Sequence, residues 1–236
     1  IAFLRRRYGL SHAGSRRPGA GPQHGRGGFA LHPAQSTPGA DPGRRAEIAG
    51  KETRLKMLTE RFDSAFRYAH DLHRAQTRKI ASIPYISHLM TVASLVIEHG
   101  GDEDQAIAGL LHDAVEDQGG IKTLAEIRAV FGDGIADMVA DCTDSWDEPR
   151  LPWRLRKENY IAALPNKPER SLLVVLADKT HNAEIILADY RLLGESVWDR
   201  FNGGPLGTRW YYRTMADAFP ATLPQKLLSR LSRAVE

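Results

Sequence analysis

From residue 52 onward, apolar residues recur three and four positions apart, and no stretch alternates apolar with polar as a half-buried strand would. Leu55, Leu58, Phe62, Ala65, Phe66, Ala69 and Leu72 form one such face and predict a helix over 52–76. A second predicted helix runs from Tyr85 to His99 and stops at Gly100-Gly101, a usual C-terminal punctuation. Asp102, with Gln105 three residues on, reads as a capping box that opens a third helix, 103–117. Thr123 and Glu126 repeat the box and predict a short helix to Phe131, closed by Gly132. Further helices are predicted at 134–144, 152–164, 168–190, 207–219 and 222–235, with Pro152 and Pro168 in first-turn positions. The expected fold class is all-α. No apolar run reaches the roughly 18 residues that span a bilayer.

Residues 1–50 carry ten Gly and five Pro and almost no periodic apolar pattern. Such a stretch buries too little surface to offset its ordering entropy. The expected organisation is thus a disordered Arg/Gly/Pro-rich N-terminal tail, 1–51, and one folded domain, 52–236. The tail is expected to be solvated chain, or sequence ahead of the native start, rather than a nucleic-acid arm. Charge supports this division. The chain has a net charge of +3, but residues 1–50 hold eight Arg against Asp41 and Glu47, so the folded part is mildly acidic. That gives the domain no electrostatic reason to bind nucleic acid. A single cysteine, Cys142, excludes an internal disulfide and a cysteine-rich zinc site, and fits a reducing, cytoplasmic setting.

Two short clusters stand out against this helical background. The first is His112-Asp113-Ala114-Val115-Glu116-Asp117, directly after Leu110-Leu111. His112 with Glu116, and Asp113 with Asp117, are four apart and share helix faces. The second is Asp178, which follows the nearly all-apolar run Ser171 to Ala177 and has Asn182 one turn on. A buried carboxylate needs a cation or several donors. With one cysteine, any metal must be held by His and carboxylate side chains, and a cation beside spare carboxylates makes a hydrolytic site. Spacing argues against Lys179 as the partner of Asp178, because adjacent helical residues do not face each other. Asn182 reads as a polar substrate contact. His181 lies off the Asp178–Asn182 line and reads as a core imidazole or one that supports a ligand. His88 alone would be a packed core residue; it becomes a candidate because the other ligands want a second imidazole. Arg78-Lys79 is either ordinary surface charge or a clamp on a phosphorylated substrate.

Together, His73-x-x-Gln76-x-Arg78-Lys79, Pro84-Tyr85-Ile86-x-His88, Leu110-Leu111-His112-Asp113-x-Val115-Glu116-Asp117 and Leu176-Ala177-Asp178-x-x-His181-Asn182 resemble the hydrolase domain of RelA/SpoT-type enzymes. More closely, they resemble the small stand-alone alarmone hydrolases of the HD-domain superfamily. The resemblance covers roughly residues 58–190. It implies an all-α HD helical bundle and one divalent ion, manganese by preference. It also implies removal of the 3′-pyrophosphate from guanosine 3′,5′-bis(diphosphate), ppGpp, a small-molecule nucleotide. By motif, His88, His112, Asp113 and Asp178 would hold the metal, and Glu116 and Asp117 would position and activate water. Arg78, Lys79 and Asn182 would bind the nucleotide.

The chain departs from the family pattern in two places. The loop between Lys79 and Pro84 is Ile80-Ala81-Ser82-Ile83 where the family has a small Ser/Gly turn, and Lys179 replaces an Arg. The loop keeps open a hydrolase of another phosphorylated nucleotide or dinucleotide cofactor. A catalytically silent nucleotide sensor is the other alternative, which the complete set of candidate ligands and acids opposes. The segment Trp198–Tyr212 is expected to pack as a turn and an aromatic helix on the core rather than to reach over the substrate through Arg200, Arg209 or Tyr211. The Leu223, Leu227, Leu228, Leu231 stripe either closes the domain or forms a homodimer seam.

Overall fold

The computed structural model describes residues 58–78, 82–145 and 149–236, so the expected tail and Lys79 lie outside the described residues. Among the described residues ten α-helices follow one another: α1 Glu60–Leu72, α2 Ile86–Glu98, α3 Glu103–Leu111, α4 Ala114–Gln118, α5 Gly120–Phe131, α6 Asp133–Cys142, α7 Trp153–Ala163, α8 Glu169–Leu193, α9 Gly204–Ala218 and α10 Gln225–Val235. Two 3₁₀ segments, Leu164–Asn166 and Gly194–Arg200, flank α8. Among the described residues the only β pairing is the isolated Thr77–Pro84 bridge, so the all-α expectation holds. No described helix is long and apolar enough to cross a membrane.

Local chemistry explains the helix ends. The Thr59 side chain caps α1 by accepting from the Arg61 N–H. Asp102 and Gln105 form the expected box, each side chain accepting from the other's main-chain N–H at 3.0 Å. Gln105 Nε2 also donates to the Arg170 carbonyl at 3.1 Å, which ties the start of α3 to the start of α8. Gly100, at φ +91°, ends the chain segment after α2, and a Cβ on Gly101 would lie 2.4 Å from Val96 Cγ1. The Gly-Gly pair is therefore required twice, once for backbone conformation and once for space.

The helix expected over 52–76 occupies Glu60–Leu72 among the described residues, and two further expectations are corrected. The helix over 103–117 is not continuous: it breaks at His112–Asp113, and Asp113 sits at φ −94°, ψ −2°. There the His112 ring bonds the Gly109 carbonyl and the Asp113 carboxylate turns away to Tyr85, so neither residue serves a regular helical turn. The Thr123 box does not start a helix either. α5 begins at Gly120, and the Thr123 hydroxyl donates to the Gln118 carbonyl at 2.8 Å, closing the α4–α5 turn.

The α8 helix is the centre of the domain. Its residues Leu172 to Ala177 are all buried, and it packs against α2, α3, α6 and α10. α2 and α3 cross closely at Gly109, where a Cβ would meet the Ala93 Cα at 3.1 Å. That approach brings the His88 and His112 helices side by side against α8. Leu223, Leu227 and Leu231 are buried in the common core, so the α10 stripe closes the domain. Tyr211 is buried as well, with Trp153 and Trp210 packed around it, while Arg209 stays exposed. The aromatic segment thus packs on the core as expected.

Candidate metal centre and active site

Four donors from three helices and one helix break converge. His88 lies in the first turn of α2, His112 at the end of α3, Asp113 in the break and Asp178 midway along α8. His88 Nε2 stands 3.4 Å from Asp113 Oδ2 and 3.3 Å from Asp178 Oδ1. His112 Nε2 stands 3.0 Å and 3.5 Å from the same two oxygens. Ligand atoms of His88, His112 and Asp178 all lie within 4.8 Å of one another. Both Nε2 atoms are buried, yet neither makes a hydrogen bond within the described residues. Buried imidazole nitrogens are rarely left unpaired. Two of them beside two carboxylates are what a cation site requires.

The far side of the His112 ring fixes which nitrogen faces the cluster. His112 Nδ1 is 2.8 Å from the Gly109 carbonyl oxygen, which can only accept, so Nδ1 carries a hydrogen and Nε2 is the atom whose lone pair a cation would take in place of a proton. His88 Nδ1 lies 2.7 Å from His181 Nδ1, and the two rings stack at 4.9 Å. Burial, then His88 and Arg78, push His181 down to about 4. A neutral His181 can accept from His88 Nδ1, the arrangement that leaves His88 Nε2 free to face the cluster. The sequence reads His181 as a core imidazole or one that supports a ligand, and it lies against His88.

Charge in the cluster is strongly coupled. Burial alone would raise Asp113, but His112 and His88 hold its carboxyl well below the usual range. Burial would also raise Asp178, and Lys179 and the same imidazoles hold it well below. Burial opposes the His112 cation, yet Asp113 and Asp178 hold the ring well above the ordinary imidazole value. A site that binds a proton this firmly between two carboxylates is one that a divalent ion can take over. The pairing of Lys179 with Asp178, which helical spacing opposed, is present: Nζ donates to Asp178 Oδ2 at 2.6 Å. The spacing rule governs Cβ directions, whereas the four-carbon stem folds back, with its ammonium over the Tyr160 ring at 5.5 Å.

The remaining candidates surround this centre. Glu116 is half-buried, and burial, then Asp144 and Asp113, raise its carboxyl. Burial and Asp113 raise Asp117, although it accepts from Gln76 Nε2 at 2.7 Å. Arg150 lies 3.7 Å from the Glu116 carboxylate and also bonds its carbonyl. Arg78 donates to Asn182 Oδ1 at 2.9 Å, and Asn182 Nδ2 donates to Asp178 Oδ1 at 2.5 Å. Arg78 and Asn182 are thus joined, through Asp178, to the donor cluster. Sequence reasoning gave no role to Tyr85, whose hydroxyl donates to Asp113 Oδ2 at 2.6 Å, nor to Gln76 or Arg150. Tyr85 and Gln76 stood in the motifs, but nothing in their spacing says which acid they meet.

Comparison with known proteins matches residues 65–208 to the HD domain family. A probable guanosine-3′,5′-bis(diphosphate) 3′-pyrophosphohydrolase of Synechocystis is 35% identical over 131 residues, covering 50% of this chain and 16% of that protein. The Xenopus tropicalis guanosine-3′,5′-bis(diphosphate) 3′-pyrophosphohydrolase MESH1 is 36% identical over 121 residues, covering 50% of this chain and 65% of that one. The matches therefore span less than two thirds of these relatives. Among solved structures, a metazoan ortholog of SpoT that hydrolyzes ppGpp superposes with a TM-score of 0.61 at 25% identity, covering 75% of this chain and 95% of that one. A crystal structure from Listeria monocytogenes EGD-e superposes with a TM-score of 0.55 at 32% identity, covering 63% and 96%. With the fold, the His-Asp motif and the family match in agreement, this chain belongs to the HD domain family.

Proposed function

We propose that the chain is a metal-dependent phosphohydrolase that removes the 3′-pyrophosphate of guanosine 3′,5′-bis(diphosphate). The observation that carries this reading is the pair of buried, unbonded imidazole nitrogens facing two carboxylates. His88, His112, Asp113 and Asp178 would hold one divalent ion, and their mixed imidazole and carboxylate donors suit Mn better than an all-oxygen ion such as Ca. When bound, such an ion supplies Lewis-acid polarisation of a phosphoryl oxygen and a water acidic near neutral pH. Glu116 and Asp117 orient the attacking water and take its proton. Their raised carboxyls are better matched to that task near neutral pH than ordinary ones. Arg78, together with Lys79, clamps the nucleotide, and Asn182 reaches its ribose or phosphate. The water oxygen bonds the phosphorus next to the ribose, the P–O3′ ester bond breaks, the freed 3′-oxygen takes a proton to become the 3′-hydroxyl, and pyrophosphate and a 5′-phosphorylated guanosine separate. Residues 52–236 make up one catalytic domain, and the lone, buried Cys142 suits a reducing, cytoplasmic setting. The test is pyrophosphate release from ppGpp with Mn present. Release no greater than that of Asp113→Ala overturns the reading.

A second substrate reading rests on the nucleotide-side loop. The segment between Lys79 and Pro84 reads Ile80-Ala81-Ser82-Ile83 where a small Ser/Gly turn is expected, and Ser82 adopts φ +50°, a left-handed conformation that residues other than Gly take at a cost. A panel including 2′- and 3′-phosphorylated dinucleotides separates the two: faster turnover of any of these than of ppGpp favours the second.

A further inference from the structure

The motif pair His73-x-x-Gln76 and Tyr85 has no part in the chemistry above, yet the structure assembles these residues into one unit behind a metal-ligand candidate. Tyr85 precedes α2 and lies three residues before His88. Its hydroxyl donates to Asp113 Oδ2 at 2.6 Å. This is the same oxygen that stands 3.0 Å from His112 Nε2 and 3.4 Å from His88 Nε2. Asp113 sits in a helix break, where its carboxylate is not oriented by a regular helical turn. Among the described residues, the Tyr85 hydroxyl donates a hydrogen bond to this carboxylate, which the two imidazole nitrogens face without one.

The ring of Tyr85 is itself held. One face stacks on His73 at 5.4 Å with planes 19° apart, and its edge meets His88 at 5.5 Å. His73 is buried, and its Nδ1 lies 2.7 Å from Gln76 Oε1, so Nδ1 donates. Gln76 in turn has a single consistent amide orientation: Oε1 also accepts from Gln118 Nε2 at 2.6 Å, and Nε2 donates to Asp117 Oδ2 at 2.7 Å. The chain reversal at Thr77–Pro84 closes the unit, with Tyr85 N–H donating to the Gln76 carbonyl at 3.0 Å. A rigid plate thus backs the phenol, and the phenol fixes one carboxylate oxygen.

We propose that Tyr85 is a positioning residue that turns Asp113 toward the two imidazoles and so sets metal affinity, with His73 and Gln76 as its fixed backing. The inference rests on the metal-centre reading above. Groups that orient ligands in this way are typically worth about 10–100-fold in metal affinity. Tyr85→Phe removes only the hydroxyl and keeps the stack.

The experiment titrates Mn²⁺ calorimetrically into the metal-free full chain, and records the visible spectrum of the Co²⁺ form, for wild type and Tyr85→Phe. The expected result is a dissociation constant raised about tenfold and a shifted Co²⁺ band, with the melting temperature of the metal-free protein little changed. At saturating Mn²⁺, turnover of the variant recovers. His73→Ala, which removes the plate, weakens metal binding in the same direction by a smaller factor. Tyr85→Phe with wild-type Mn²⁺ affinity and an unshifted Co²⁺ spectrum overturns the proposal alone, whatever happens to stability. A wild type that binds neither ion overturns the metal reading with it, and one that binds metal without releasing pyrophosphate leaves the positioning role standing and removes only the substrate.

Discussion

Asp178 concentrates the energetics of the site in one residue. It is buried, it takes the Lys179 ammonium and the Asn182 amide, and it faces both imidazoles. Asp178→Ala leaves Lys179 buried without its carboxylate. Breaking a buried pair from one side costs about 3–5 kcal/mol, so thermal melting of this variant should show a loss of that order, and elemental analysis should find it metal-free. An unchanged melting temperature would mean that Lys179 has another partner. Ser82 makes the opposite case, since an L side chain at φ +50° carries strain that glycine does not. Ser82→Gly should stabilise by about 0.5–1 kcal/mol in urea unfolding, and a variant no more stable than wild type would show that the turn is unstrained. At this scale the sequence was legible where burial and charge conflict. Asp178 after six apolar residues had to be compensated, and His112-Asp113 after Leu110-Leu111 likewise. It was not legible where reach decides. Helical spacing hid the Lys179–Asp178 bond, and no local pattern marks Tyr85 as the partner of a carboxylate 28 residues on.

Helices were readable mainly because their ends carry their own chemistry. The Asp102–Gln105 box and the Gly100-Gly101 stop form as the residues indicate. The break at His112–Asp113 was not readable, because no Gly or Pro marks it. There the Gly109 carbonyl, one turn back, takes the His112 ring, and a tertiary partner, the Tyr85 hydroxyl, takes the Asp113 carboxylate. The break also helps two short neighbouring side chains serve one centre, since a regular helix turns successive residues about 100° apart. Gly109 tests the element-level argument. Alanine is the better helix former by about 1 kcal/mol, yet its Cβ would press on the α2 backbone at 3.1 Å. Neither helix can yield cheaply, since both are packed on α8. Gly109→Ala should therefore destabilise by about 1–2 kcal/mol net in denaturant unfolding and weaken Mn²⁺ binding, because α2 and α3 carry the two imidazoles. A gain in stability would show that the crossing relaxes freely.

For the whole molecule, the metal centre and the ion pairs set how stability responds to solution conditions. An ion that binds only the folded chain adds about 2.7 kcal/mol at a hundred times its dissociation constant. For a domain of this size that is roughly 5–10 °C in melting temperature, removed by chelator. Away from the centre, Asp144 meets both Arg156 and Lys157 and is 3% exposed. Burial would raise its carboxyl, but Lys157 and Arg156 hold it below the ordinary value. Its folded pKa is thus lower than its unfolded one, so the unfolded chain binds more protons in acid. The stability it contributes is complete above the unfolded carboxylate pKa, about 4, and is lost as pH falls through the folded value. Asp144→Asn should cost about 3 kcal/mol at pH 7, since two cations lose their carboxylate, and the gap to wild type should narrow steadily below about pH 4. Chemical unfolding across pH 3–7 in the presence of chelator isolates this from metal binding. A gap that stays constant down to pH 3 would place the effect in packing instead of charge, and the Asp144 cluster would then join α7 to the core by shape alone.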